Sequence, residues 1–208
     1  MLFHANILEI KAFIDLYYFV GLHKVSLVNA RDRWAIDGTG VDVFHCTMLY
    51  KRLLFLMRCL RFDDIRDNSS RREVDKLVPI RNIFEKFVAS CQRLHSLGEY
   101  VTINEKLELF RGRCSFWQYY ISNKSSKYGI KIFALVDATT FYAWNLEIYA
   151  GTQPAGPYNI ENGPDKIVKQ LMKPIFNSGC NLTVDIWCMN YGLAKDLLEK
   201  KNCSFRNC

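Results

Sequence analysis

Few side chains in this chain are placed to do chemistry. The eight cysteines (Cys46, Cys59, Cys91, Cys114, Cys180, Cys188, Cys203 and Cys208) include no CxxC pair. His4, His23, His45 and His95 show no ligand spacing, and Cys203 and Cys208 have no second pair nearby, so zinc is not expected. Disulfide scaffolds are usually shorter and denser in cysteine, and these thiols read as buried and free in a reducing compartment. The histidines read as structural or surface groups. Two features remain. Arg111, Arg113, Lys124, Lys127 and Lys131 make the densest basic region, which could contact phosphate or simply be a solvated surface. Asp185 stands at the end of a short apolar run. Asp137 and Glu147 flank a turn and read as structural.

The composition fits that short inventory. A chain of 208 residues, half of them hydrophobic and 14% aromatic, can bury a sizeable core in one or two domains. Its formal charge of +7 favours an anionic partner, nucleic acid before membrane. The apolar run from Ala12 to Leu22 is interrupted by Asp15 and preceded by Glu9 and Lys11. It is too short and too charged for a membrane span, and a poor signal peptide. In an intracellular chain the sequons at Asn68, Asn123, Asn181 and Asn202 then carry no meaning.

The first half is predicted helical. Ile7, Ile10, Ile14, Tyr17 and Tyr18 recur at helical spacing over residues 7–22. Residues 30–41 read as a loop that Trp34 pins to the core. A helix is expected from Val43 to Phe62, with Leu49, Leu53, Leu56 and Leu60 on its buried face. After a charge-mixed linker over residues 63–75, Pro79 suits the first turn of a long helix. Its core stripe is Ile80, Ile83, Phe84, Phe87, Val88, Cys91 and Leu94.

At Gly98 the period changes to two. Val101, Ile103, Glu105, Leu107 and Leu109 share one face of a strand, and Thr102, Asn104, Lys106 and Glu108 the other. Residues 128–136 and 141–149 read as a hairpin across the turn Asp137-Ala138-Thr139-Thr140. A Gly/Pro-rich loop, a helix from Asp165 to Met172, a strand from Asn181 ending in Asp185 and a helix from Tyr191 to Lys201 follow. Three strands, a helix, a strand and a helix match the opening of a ribonuclease-H-like fold, which topology alone makes one candidate among several α/β folds. In a ribonuclease-H-like fold, carboxylates from the first and fourth strands converge on divalent metal ions. The expected class is α/β (α+β overall).

Ordered segments along nearly the whole chain resemble the piggyBac transposases and the host proteins derived from them. They include Gly21-Leu22-His23-Lys24, Leu60-Arg61-Phe62-Asp63-Asp64 and Asp75-Lys76-Leu77-Val78-Pro79-Ile80-Arg81. Phe110-Arg111-Gly112-Arg113-Cys114-Ser115, Lys127-Tyr128-Gly129-Ile130-Lys131 and Thr183-Val184-Asp185 complete the pattern. The resemblance implies a helical part over 1–97, a partial ribonuclease-H-like core over 98–201 and a divergent tail over 202–208. It also implies cut-and-paste transposition by three aspartates with Mg²⁺, in the nucleus, on DNA. The first aspartate of that set falls on Asn104, the second is kept as Asp185, and the third is expected beyond Cys208.

Asn104 therefore marks a lost metal ligand and Asp185 a vestigial one. The basic residues Arg111, Arg113, Lys124, Lys127 and Lys131 are expected near DNA. Glu105 cannot replace Asn104, because neighbouring side chains on a strand point to opposite faces. The expected protein is a catalytically inactive transposase derivative with residual DNA affinity. A transposon relic without selected function, a protein-interaction fragment or a residual metal-dependent nuclease are the alternatives. A core missing its last elements would leave a sheet edge for a dimer to cover.

Overall fold

The computed structural model describes residues 4–22, 31–64, 66–110, 119–120, 128–159, 163–185, 190–200 and 206–207. Backbone contacts divide the chain into Met1–Arg61 and Phe62–Cys208. The division falls before the long helix rather than at the expected 97/98, because that helix packs on the sheet.

In the first unit, α1 (Ile7–Leu22) buries Phe13 and Leu16 against Phe44, Met48, Leu53 and Leu56. Ile7 and Tyr18 are instead more than 70% exposed, so the buried stripe lies on a different face from the expected one. The expected helix from Val43 is two helices, α2 (Asp42–Thr47) and α3 (Tyr50–Cys59), parted by an extended Met48. Trp34 supplies the reason. Its ring packs on Phe44 and its Nε1 donates to the Met48 carbonyl at 2.6 Å, which removes that oxygen from a continuous helix. Leu53 and Leu56 are buried as expected, whereas Leu49 is 75% exposed and leads the second helix. A bidentate ion pair from Arg52 to Glu9 ties α3 to α1. Cys46 and Cys59 are exposed, against expectation, and Cys91 is buried.

The second unit begins with α4 (Asn68–Arg71), whose Arg71 bridges Asp63 and Asp67. The helix α5 (Val78–Leu94) carries Pro79 in its first turn, where the missing N–H costs nothing. The strands are β1 (Tyr100–Leu109), β2 (Tyr119–Tyr120), β3 (Tyr128–Asp137), β4 (Ala143–Ile148), β5 (Asn181–Val184) and β6 (Arg206–Asn207). They run β2-β3-β1-β5-β6, with β4 also on β3. The pairs of β3 with β1 and β4 are antiparallel, while β5 is parallel to both β1 and β6. The helices α6 (Pro164–Met172) and α7 (Tyr191–Glu199) complete the unit.

Helices cover the sheet unequally. On one face Val101, Ile103, Phe133, Leu135, Leu182 and Val184 meet Val168, Leu171, Leu193 and Leu197 of α6 and α7. Each such large side chain contributes roughly 1.5–3 kcal/mol on burial. On the other face Ile130, Ile132 and Ile148 meet Leu77, Ile80 and Phe84 of α5. That cover reaches β3 and β4 only. Asn104, Lys106 and Glu108 on β1 share this second face and are exposed.

The turn between β3 and β4 is held by Asp137, which is 2% exposed. It accepts from the amides of Thr140, Gly98 and Thr139 and contacts His95 at 3.3 Å. Those amide hydrogen bonds, led by Thr140, hold its pKa well below the usual carboxylate range. A depressed carboxyl adds stability above the unfolded pKa of about 3.9 and loses it as pH falls. Asp137→Asn is therefore expected to be less stable than the parent at neutral pH. In urea titrations the gap should narrow steadily below about pH 4; a constant gap would contradict this account. No helix among the described residues is long and apolar enough to cross a membrane.

Candidate functional site

The register of β1 and β5 bears on where Asn104 and Asp185 lie. Thr102 pairs with Thr183 and Ile103 with Val184, where the ladder ends; continued by one residue, this register would bring Asn104 level with Asp185, just past the end of β5. Asn104 lies within β1 and Asp185 directly follows β5, its parallel neighbour; such strands are about 4.8 Å apart in backbone spacing. Both are exposed and stand on the half of the sheet that α5 leaves bare. On the far side of Asn104 the β3 partner is Ala134, whose methyl adds no donor and leaves the surface shallow.

The donor set at this point is thin. Asn104 Oδ1 accepts from the Glu105 amide at 2.7 Å, so its oxygen is engaged with its own backbone. Lys106, two residues along the same face, brings an ammonium and pairs with Glu108 at 2.7 Å. The remaining carboxylates nearby are on the opposite face. Glu105 holds the ammonium of Lys131 at 2.5 Å, Glu147 pairs in register through Phe133, and Asp137 lies opposite Val101. Among the described residues no cluster of three metal-ligating side chains occurs. Two hard dications need several anionic oxygens in one place, and one carboxylate with an occupied amide does not fit them.

The basic region resolves unevenly. Arg111, Arg113, Lys124 and Lys127 lie outside the described residues. Lys131 is 8% exposed, with its ammonium on Glu105 and over the Phe133 ring. It is an internal ion pair, not part of an exposed phosphate-binding set, because odd positions of β3 face α6 and α7. The alternation of Lys131 with Phe133 and Leu135 carried that signal.

A second polar site lies at the β4 edge. A cavity of ≈290 Å³ between α5, β4 and α6 is walled by Phe84, Val88, Leu146 and Pro157 and reached by Glu147 and Gln170. Gln170 donates to Glu147 Oε2 at 3.0 Å. Burial pushes the Glu147 carboxyl up to about 7, with Arg81 opposing and Glu85 and Asp75 adding to the rise. The place of Glu147 in the hairpin predicts a structural role. Only the pairing of β4 with β3 and the approach of α5 reveal the cavity.

Helices followed by a mixed sheet, with β1 between the antiparallel β3 and the parallel β5, make the α/β arrangement expected from the sequence. The family described as Transposase IS4 matches residues 3–204, and the chain belongs to it. Its fold is also similar to a piggyBac transposase solved by cryo-EM as a synaptic complex with hairpin DNA. The TM-score is 0.80 and the identity 33%, over 99% of this chain and 42% of that one. The chain thus spans less than half the length of that transposase.

Proposed function

We propose that this protein is a transposase-derived DNA-binding protein that no longer performs strand cleavage or transfer. One observation supports the reading: the register of β1 with β5 leads toward Asn104 and Asp185, and of these two only Asp185 is a carboxylate. Phosphodiester displacement by this family of folds depends on metals that stabilise the attacking and leaving oxygens. Their removal costs most of the transition-state charge stabilisation. Glu105, Asp137 and Glu147 cannot supply the missing charge from the opposite face.

DNA affinity does not share that dependence. It is carried by cations, and the chain has 28 lysines and arginines against 21 acidic residues. The similar transposase was solved with hairpin DNA, which supports duplex DNA as the partner and the nucleus as the location. Arg111, Arg113, Lys124 and Lys127 are the proposed phosphate contacts. Four such contacts predict roughly a hundredfold loss of affinity between about 50 and 200 mM salt.

Gel retardation of duplex DNA across that range tests the binding half. Replacing the four residues with serine should flatten the salt dependence; no retardation at low salt would reject DNA as the partner. A nicking assay with Mg²⁺ or Mn²⁺ tests the other half. Product that disappears in Asp185→Ala would overturn the inactive reading.

A further inference from the structure

The cavity at the β4 edge is separate from the Asn104–Asp185 pair, which lies two strands away. Its charges do not balance. On α5, Arg81 faces it, but that guanidinium is bound in a bidentate pair by Asp75 and lies over the Tyr158 ring, 4.6 Å from its centre. Glu85, also on α5, is 57% exposed and 3.8 Å from Arg81. From α6 comes the neutral Gln170, and from the preceding loop Tyr158. Glu147 is the remaining charge. Among the described residues no cation stands within ion-pair distance of it, and its Oε1 accepts no hydrogen bond.

A half-buried carboxylate with one idle oxygen, in a cavity lined by both polar and apolar side chains, is the complement of a cation with an apolar body. The volume lies at the small end of ligand pockets, which run about 300–1,000 Å³. We propose that this cavity binds a small organic cation, an ammonium on an apolar body, through a charge-assisted hydrogen bond to Glu147 Oε1. An inorganic dication is a poorer occupant, since it needs several anionic oxygens and, of the two lining carboxylates, Glu85 is 57% exposed and lies against Arg81.

Binding should follow the ionisation of Glu147. The carboxylate form fades as pH falls through about 7, while an alkylammonium stays charged across the same range. The probe is benzylammonium, titrated calorimetrically into the full chain at about pH 8 and about pH 5.5. Affinity is expected to fall tenfold or more at the lower pH, roughly the loss of ionised carboxyl. Glu147→Gln should bind as weakly at both values as the parent does in acid, and neutral benzyl alcohol should show no pH dependence.

Ala89 lines the cavity from an exposed position on α5, so Ala89→Phe narrows the space without touching the carboxylate. It too should weaken binding by about tenfold, with an unchanged far-ultraviolet spectrum. Equal affinity in the parent and Glu147→Gln, or an undiminished Ala89→Phe, overturns the proposal. So does Nα-acetyl-lysine amide binding in a Glu147-dependent way where benzylammonium does not, which would assign the cavity to a lysine of a protein partner.

Discussion

Asp75→Ala is expected to cost about 3–5 kcal/mol of folding free energy, the range for breaking one side of a buried ion pair. Asp75 is 2% exposed, and its carboxylate accepts four hydrogen bonds. Two come from Arg81 at 2.8 and 2.9 Å, one from the Leu77 amide and one from Gln153 Nε2, both at 3.0 Å. Gln153 in turn accepts from the Lys76 amide, so the loop after β4 is tied to the start of α5. Burial works against the Asp75 charge, and the hydrogen bonds from Arg81, Leu77 and Gln153 more than offset it, holding its pKa below the usual range. Its removal leaves the Arg81 guanidinium in a largely dry site without its anion. Urea denaturation gives the cost directly. Asp75→Leu combined with Arg81→Met should recover much of it, because no buried charge then stands alone. Additive losses in the double variant would show that the pair is not the unit of stability.

Asn104→Asp is expected to tighten divalent-cation binding by about thirtyfold. A carboxylate about 4 Å from a dication contributes about 2 kcal/mol even at the dielectric constant of water. Paramagnetic broadening by Mn²⁺ of the amides around residues 104 and 185 measures the change. DNA cleavage should stay at background, since one further carboxylate on this face is Glu108, four residues away and paired with Lys106. An unchanged Mn²⁺ affinity would mean that the two positions cannot share an ion. Cleavage by the variant would mean that Asn104 alone had silenced the site.

Much of this was legible in the sequence, and the exceptions have identifiable causes. Alternation over residues 101–109 set the two faces of β1 correctly, because a strand half covered by helices needs period two. The pairing of β1 with β5 was implied by the order of elements, but its register depends on a parallel pairing 81 residues apart that no local pattern encodes. The helix break at Met48 was hidden for a similar reason. It depends on Trp34, fourteen residues away, taking a carbonyl that the local leucine pattern would give to the helix. Lys131 was misplaced by counting it with its basic neighbours and not with its strand. Glu105, on the buried side of β1, was the partner that the alternation had already exposed. The segment Asp75–Arg81, which helped to identify the family, turns out to hold α5 and the loop after β4 together; it does no chemistry at positions 104 and 185.

The long ladder between β1 and β3 has one more consequence. Nine consecutive residue pairs, from Val101 with Asp137 to Leu109 with Gly129, hold β1 in register. A slip of one residue would turn its whole buried row outward. The placement of position 104 is therefore a property of main-chain hydrogen bonds and of the apolar row behind them. Neither depends on what the exposed side chain at 104 is. A reactive group can be exchanged for an inert one there at almost no structural penalty, and the mounting survives intact. Durability of the frame and fragility of the chemistry have the same origin.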